Sequence, residues 1–355
     1  MIAARHPVQR PATARLLVVD QAGRIRHAPR SALASLLRPG DLVIANDAAV
    51  LPASLSGVHT PTGQAIEVRL AGRGGLDRVD RFTAVVFGKG DHHTLTEHRP
   101  APPPLAAGDR LTLGPLMAEV ETVLGHPRLV GIRFDGGPEA FWAGLARHGR
   151  PVQYAHVPEP LQLWDVWSPF AGPPAAFEPP SAGFALDWRT LGQLRAAGIR
   201  FATLTHAAGL SSTGDAVLDA RLPLDEPYRI PPATAAAIRR ARALGGRVIA
   251  IGTTVVRALE HSGGRAGDGL ADQRLGPDTP LGVVDAILSG THEPGTSHYE
   301  LLRAFAGDNI LESATDALES AGYLTHEFGD SVLIERQRIR PANPGVRLNG
   351  GLMMA

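Results

Sequence analysis

The chain has 355 residues, of which 44% are hydrophobic and 20% charged, and its formal net charge is zero. This length favours two domains, and no run of about 18 uncharged apolar residues indicates a transmembrane helix. The absence of cysteine excludes disulfides and thiolate metal sites. A nucleic-acid role cannot rest on the global charge and would need arginines gathered on one face. The N-terminus MIAARHPVQRPATARLL lacks the apolar core of a signal peptide, so we expect a cytoplasmic protein with no membrane partner.

The first part of the chain changes character near residue 58. Residues 1–57 contain two apolar strand-like runs, RLLVVD and GDLVIAND, joined by a short helical candidate, SALASLL. Residues 58–149 contain short alternating segments, such as QAIEVRLAG, DRFTAVVFG and RLVGIRFDG, separated by Gly, Pro and Asp. That spacing predicts an antiparallel barrel or sandwich for residues 58–149.

Residues 150–183 are rich in proline and aromatic side chains and indicate a long irregular connection, a kind of segment that is often functional. Helix and strand patterns alternate after it. DWRTLGQLRAAG, with Asp187 as its N-cap, precedes the strand RFATLTH, and PPATAAAIRRARALGG precedes the strand RVIAIG. The alternation predicts an α/β layer with a largely parallel sheet, built from residues 1–57 and 150–355 and interrupted by the barrel-like part.

The stretch GGRVIAIGTTVVRALE places Gly252, Thr253 and Thr254 between a buried strand and a helix. Ligands bind at this edge of open α/β sheets, and free N–H groups at a helix start favour an anionic group. Arg257 and Glu260 are three apart and would share a helix face. The alternative is a tight turn with Thr254 as the N-cap and a surface Arg–Glu pair.

Histidines occur after two of the predicted strands. His292 and His298 lie in SGTHEPGTSHYELL, but their spacing is not H-E-x-x-H and no cysteine can contribute, so no metal site is predicted. His206 follows the strand RFATL at an equivalent sheet edge, so His206 and His292 could converge on one ligand. A single histidine at a strand end is more often hydrogen-bonded structure.

Two polar pairs are typical of turns. Asn46-Asp47 follows the strand DLVIA, and Gly329-Asp330 precedes SVLIE. For Asn46-Asp47, the alternative to a turn is a contact with a ligand. The sequence contains neither G-x-x-x-x-G-K-[ST] nor G-x-S-x-G, so neither a nucleoside triphosphate P-loop nor a serine hydrolase elbow is predicted.

These motifs, taken together, resemble the S-adenosylmethionine:tRNA ribosyltransferase-isomerase family of queuosine biosynthesis. The most specific match is GGRVIAIGTTVVRALE, which is similar to the family's G-T-T-x-V-R-x-L-E. Further matches occur in the family's order and span nearly the whole chain: ARLLVVD, GDLVIANDAAVLPASLSG, IEVRLAG, PPSAGF, HEPGTSHYELLRAFAG and FGDSVLIE.

The resemblance implies a six-stranded antiparallel β-barrel inserted into an α/β/α sandwich. It also implies transfer of the ribosyl part of S-adenosylmethionine to the aminomethyl group of 7-aminomethyl-7-deazaguanine in tRNA. Rearrangement to an epoxycyclopentane then releases adenine and methionine. S-adenosylmethionine would be a substrate, tRNA is the possible acceptor, and no metal is expected.

That chemistry needs a base for the proton beside the sulfonium and an acid for departing adenine. The candidates for these proton transfers are His206, His292 and Asp330. The methionine carboxylate would suit the helix start at Gly252, with Arg257 as its charge partner. The other substrate-binding candidates are Asn46, Asp47, Ser181, Gly183, Thr253, Thr254, Glu260 and His298.

The chain also departs from the family's motifs. N-D-T-R-V-I-P-A-R-L appears as NDAAVLPASL, so Ala49 and Ser54 replace both arginines, and A-P-T-A-G-L-H-F-T appears as PPSAGFALD, with Ala185 at the histidine. L-H-V-G-x-G-T-F survives as THAAGLSS, with His206 as the matching position. Because arginine pairs bidentately with phosphate or carboxylate, these losses indicate altered binding. The alternatives are a divergent paralogue that acts on S-adenosylmethionine with a small-molecule acceptor, or a non-catalytic binding protein.

Overall fold

The computed structural model describes residues 2–337. Its strands are β1 Ile2–Ala3, β2 Arg15–Val19, β3 Ile25–Pro29, β4 Leu42–Asn46, β5 Ala49–Val50, β6 Ser54–His59, β7 Gln64–Gly72, β8 Arg81–Gly88, β9 Arg110–Leu113, β10 Leu116–His126, β11 Leu129–Phe134, β12 Pro174–Ala176, β13 Arg200–His206, β14 Glu226–Ile230, β15 Val248–Ile251, β16 Gly267–Ala271, β17 Ala286–Gly290, β18 Leu324–Thr325 and β19 Ser331–Glu335. Its α-helices are α1 Leu33–Leu36, α2 Pro138–His148, α3 Leu163–Val166, α4 Trp188–Ala196, α5 Ala216–Asp219, α6 Pro232–Ala243, α7 Thr253–Ser262, α8 Ser297–Leu302 and α9 Asp308–Ser320. Short 3₁₀ turns cover Arg30–Ala32, Thr96–His98 and Ser181–Ala185.

Within residues 2–337, a nine-stranded sheet has the order β16-β14-β13-β4-β15-β17-β19-β2-β3. Strands β13, β4, β15 and β17 run parallel, as do β19 and β2. The β17–β19, β2–β3, β13–β14 and β14–β16 pairs are antiparallel. The prediction of a largely parallel sheet is therefore correct only for its centre. Two helices, α8 and α9, lie between β17 and β19 along the chain. They return the chain to the edge of the sheet at which β17 ends, so β19 runs antiparallel to β17.

Apolar side chains cover both faces of this sheet because successive strand residues point to opposite sides. Leu42 and Ile44 of β4 lie in one core with side chains of α6, α7, α8 and α9. Val43 and Ala45 lie in the other core, with side chains of α1 and α4. The sheet is thus a central layer between two helical layers, and the predicted α/β/α sandwich is confirmed.

The β-rich part forms a closed six-stranded antiparallel barrel in the order β10-β11-β8-β7-β6-β9 within the described residues. Helix α2 packs on it through Phe141, whose ring stacks on Phe82 at a centroid distance of 5.2 Å. The inserted barrel is confirmed. Its first strand begins at Ser54, ahead of the boundary expected at residue 58. The exact division into 58–149 and the flanking segments stays a prediction, and residues 338–355 lie outside the described part.

The helices of residues 2–337 include none that is both long enough and apolar enough to cross a bilayer.

Candidate active site

A cavity of about 290 Å³, called the site cavity below, lies at the carboxyl edge of the central sheet. The segments that follow β13, β15 and β17 line it, together with the 3₁₀ turn at Ser181–Ala185 and the start of α8. Parallel strands end at a common edge, and ligands of open α/β sheets bind there. Of the predicted residues, those that line the site cavity are Ser181, Gly252, Thr253, Thr254, Arg257, His292 and His298.

The start of α7 opens into the site cavity. Gly252 precedes the helix with φ 91° and ψ 159°, a backbone conformation essentially restricted to glycine. No side chain caps the helix, which begins at Thr253, so Thr254 is not its N-cap. The first N–H groups of α7 are therefore available to an anionic group of a ligand. A Cβ at residue 252 would lie 3.3 Å from Cβ of Ala182.

Arg257 lines the site cavity but already has a partner inside the protein. Its guanidinium is 4% exposed, donates from Nη1 to Oε2 of Glu226, and donates from Nη2 to the carbonyl of Ala271 at 2.8 Å. Glu260 turns away and accepts hydrogen bonds from the backbone N–H groups of residues 282–284. The alternative interpretation, a surface pair of Arg257 and Glu260, is wrong, because Arg257 is buried against Glu226 of β14. A ligand carboxylate would have to compete with Glu226 for Arg257.

His292 and His298 form a stacked pair in the wall of the site cavity. Their ring centroids are 4.8 Å apart with an interplanar angle of 13°, and Nε2 of His292 lies 2.7 Å from Oγ of Ser289. Burial lowers the pKa of His292 well below 6.5, and the neighbouring His298, Arg10 and His326 lower it further. Burial also lowers the pKa of His298 to about 4. Both imidazoles are therefore neutral near pH 7 and are weaker bases than a free imidazole.

His206 does not join this pair. It is 0% exposed, does not line the site cavity, and its Nε2 lies 3.5 Å from Oε2 of Glu226. Neither ring nitrogen has a hydrogen-bond partner among the described residues. Burial, followed by the charge of Arg257, lowers the pKa of His206 well below its usual value. The structure therefore does not support the expected convergence of His206 and His292, because Glu226 stands between His206 and the cavity.

Several other predicted residues have structural contacts instead of a place in the site cavity. Oδ1 of Asn46 accepts from the N–H of Ala48 at 3.0 Å, which forms the predicted Asx-turn, and Asp47 accepts from Thr205 Oγ1 at 2.7 Å. A Cβ at Gly183 would lie 3.1 Å from the ring of Phe170.

The contacts of Asp330 do not support its predicted catalytic role. Its carboxylate accepts from the backbone N–H and guanidinium of Arg15 at 2.7 and 2.9 Å, and from the N–H of Leu324 at 2.9 Å. It does not line the site cavity. Asp330 thus connects the turn before β19 to β2. It lies outside the site cavity, so it is not placed to transfer a proton to a ligand in that cavity.

Sequence reasoning missed Glu178, which lines the site cavity. The Tyr154 hydroxyl donates to its Oε1, and the N–H of Ser211 donates to its Oε2 at 3.0 Å. Burial raises the pKa of Glu178 to about 7, against the opposing effect of these hydrogen bonds. The available signal was an acidic residue inside the apolar, proline-rich run AFEPPSAG. Glu226, also missed, lines the same cavity, and burial raises its pKa despite the attraction of Arg257.

Comparison with known proteins places this site in context. A family model described as "Queuosine biosynthesis protein" matches residues 1–334. The chain belongs to this family. An S-adenosylmethionine:tRNA ribosyltransferase-isomerase of Sorangium cellulosum is 34% identical and covers 94% of this chain and 95% of its own. The same-named protein of Anaeromyxobacter sp. is 32% identical, with coverages of 94% and 96%.

A solved structure is also similar to this member of the queuosine biosynthesis family. The S-adenosylmethionine tRNA ribosyltransferase of Thermotoga maritima matches with a TM-score of 0.50 at 22% identity, covering 94% of this chain and 96% of that one. At that identity the likeness shows the fold. The family model and the relatives above 30% identity confirm the family predicted from the ordered motifs.

Three departures from the queuosine family motifs, Ala49, Ser54 and Ala185, lie away from the site cavity, whereas the changed segment THAAGLSS lines it through residues 208–211. Ala185 is 0% exposed and packs in the core beneath α4, so its methyl group does not reach the cavity. Ala49 is buried in β5, and Oγ of Ser54 donates to Glu67 of the barrel at 2.8 Å. These positions supply no positive charge for an anionic acceptor.

Proposed function

We propose that this member of the queuosine biosynthesis family is an enzyme that binds S-adenosylmethionine in the site cavity and transfers and isomerises its ribosyl group. The observation that carries the proposal is the meeting of three features in one cavity: the uncapped start of α7, the neutral His292, and Glu178 with a pKa of about 7.

The residues of the site cavity suit the parts of S-adenosylmethionine. The N–H groups after Gly252 can bind the methionine carboxylate without the help of Arg257. Glu178 and Glu226 line the cavity, and their carboxyl groups would compensate the ammonium and sulfonium charges, Glu226 in part because it is already paired with Arg257. Apolar contacts for an adenine ring come from Leu222, Pro223, Leu275 and Leu301.

Two groups in the cavity suit the proton transfers. His292 is neutral, and its contact with Ser289 fixes the orientation of the ring, so it is the candidate to remove the proton beside the sulfonium, although burial makes it a weaker base than a free imidazole. Glu178, with a pKa of about 7, is partly protonated at neutral pH and can give a proton to departing adenine. The raised pKa of Glu178 and the neutral state of His292 thus separate the acid from the base.

The acceptor in this proposal is 7-aminomethyl-7-deazaguanine in tRNA, or a related amine. A volume of about 290 Å³ is near the lower end of ordinary ligand pockets, so it suits the donor alone and leaves the acceptor to enter at the mouth. Ala49 and Ser54 weaken the case for an RNA phosphate contact, since neither carries charge. This observation favours a small-molecule amine as the second candidate acceptor.

The test is to incubate the purified chain with S-adenosylmethionine, with and without tRNA that carries the precursor base, and to follow adenine and methionine by chromatography. We expect release that depends on the acceptor and falls at least 100-fold in Glu178→Gln or His292→Gln, since general acid–base catalysis contributes roughly 10²–10⁴-fold. Glu312→Gln, an exposed change on α9, is the matched control and should retain the rate. Release with S-adenosylmethionine alone shows simple cleavage, and release that requires an added small amine assigns a small-molecule acceptor. Binding with no release under any condition contradicts the catalytic proposal.

A further inference from the structure

A second group of chemically active side chains lies beside the site cavity, in a part of the molecule that the proposed function does not use. His156 belongs to the long connection between α2 and α3, and His326 and Glu327 lie in the turn between β18 and β19. One ligand atom from each of these three residues lies within 4.8 Å of the other two. Because β19 starts at the edge where β17 ends, the turn between β18 and β19 brings this group to the carboxyl edge of the sheet.

We propose that His156, His326 and Glu327 bind one divalent transition-metal ion of the Zn²⁺ class. Two imidazoles and one carboxylate are the donor set of open zinc sites, in which a further position is left to water or a ligand. Imidazole nitrogen suits zinc and its neighbours, whereas magnesium and calcium prefer oxygen alone. The proposal concerns residues separate from His292, His298 and Glu178 and stands independently of the proposed function.

The three side chains lie close enough together to share one ion, with the two histidine rings stacked on each other. Nε2 of His156 lies 2.9 Å from Oε2 of Glu327, and the rings of His156 and His326 are 4.2 Å apart at 21°. Ligand atoms about 2.0–2.2 Å from a tetrahedral zinc ion are roughly 3.3–3.5 Å apart. The His156–Glu327 contact needs only slight widening, whereas the exposed His326 ring must turn out of its stack on His156, because a metal ion lies in the plane of each imidazole that binds it.

The surroundings of the group give it both rigidity and access. His156 and Glu327 are 16% and 20% exposed in their side chains, whereas His326 is exposed, which leaves a path for the ion. His326 is also the non-glycine residue with positive φ, 68°, in the described chain. Such a backbone conformation is uncommon outside glycine and is often retained for function.

One nearby charge acts against a cation. Arg10 is 1% exposed and lies near Glu327, but its Nη1 donates to the carbonyl of Ser181 and its Nε to that of Asp330. These contacts and the Asp330 carboxylate keep Arg10 in place, so its positive charge stays near the proposed site. Binding of the ion therefore depends on the negative charge of Glu327.

The experiment is calorimetric titration of the chelator-treated full chain with ZnCl₂, accompanied by titration with Co²⁺, whose visible absorption reports the geometry of its ligands. We expect one equivalent of Zn²⁺, which also displaces Co²⁺ and raises the melting temperature. Loss of an outer-shell partner costs roughly 10–100-fold in affinity, so His326→Asn and Glu327→Gln, which remove ligands, should each cost about 100-fold or more.

Asn tolerates the left-handed backbone at position 326, so His326→Asn decides the question if Glu327→Gln does not fold. The matched control is His93→Asn, in the exposed group formed by the consecutive residues Asp91, His92 and His93. His93→Asn should leave the affinity for Zn²⁺ unchanged. The proposal is overturned if the chain binds no Zn²⁺, if His326→Asn binds it as tightly as the wild type, or if His93→Asn removes the binding.

Discussion

Replacement of Glu178 by glutamine should change how the stability of the protein depends on pH. The Glu178 carboxyl is 7% exposed, and burial raises its pKa from the ordinary 4.5 to about 7. Between those two values the folded protein holds a proton that the unfolded chain has released, so the free energy of unfolding falls as pH rises. The contribution is fully present below pH 4.5 and lost above about pH 7. At about 1.4 kcal/mol for each tenfold change in proton affinity, it amounts to about 3 kcal/mol.

The assay is urea unfolding of the wild type and Glu178→Gln at a series of pH values from 4 to 8. The amide adds a cost that does not depend on pH, because it cannot accept from both Tyr154 and Ser211 as the carboxyl does. As pH rises through this range, the free energy of unfolding of the wild type should therefore fall by about 3 kcal/mol relative to that of Glu178→Gln. Glu312→Gln, which alters an exposed carboxylate, should follow the wild type. Parallel curves for the wild type and Glu178→Gln would refute the reasoning.

Three further substitutions test the contacts around the site cavity. Gly252→Ala should cost about 1–3 kcal/mol of unfolding free energy and weaken S-adenosylmethionine binding in calorimetry; Gly245→Ala, also at positive φ but with open space at its Cβ, should leave that binding intact. Arg257→Ala should cost about 3–5 kcal/mol in urea unfolding because it leaves the Glu226 carboxylate buried without its partner, and a cost under about 1 kcal/mol contradicts that pairing. Asp330→Asn should lose about 1–3 kcal/mol of unfolding free energy with adenine release unchanged, and a selective loss of release would return Asp330 to the catalytic set.

Local and periodic features of the fold could be predicted from the sequence. The side chain of Asp187 caps α4 by accepting from the N–H of Thr190, as expected, and α6 starts at Pro232. The short alternating segments after residue 58 form the closed barrel. The antiparallel direction of β19 could not be predicted from the sequence. Strand direction depends on how many helices lie between neighbouring strands, and the hydrophobic pattern of a strand is the same in either direction.

The candidate site was only partly predictable. Gly252 was found because a strand, a glycine and a helix start are adjacent in the sequence. The sequence suggested Glu260 as the partner of Arg257, because the two residues are three apart on one helix. The partner in the structure, Glu226, lies on strand β14 instead. Glu178 was missed because its raised pKa comes from burial, and its hydrogen-bond partners Tyr154 and Ser211 lie 24 and 33 residues away in the sequence. Long-range burial and pairing leave no periodic pattern to detect.

The most direct test of the account is calorimetric titration of S-adenosylmethionine into the wild type and Thr254→Trp, which enlarges a side chain that lines the site cavity. Thr254 is half-buried in the first turn of α7, and the melting temperature of the variant verifies that it folds. We predict one equivalent bound by the wild type and at least a 100-fold weaker affinity in Thr254→Trp. Equal affinity in the two proteins, or no binding by the wild type, would contradict the placement of S-adenosylmethionine in this cavity.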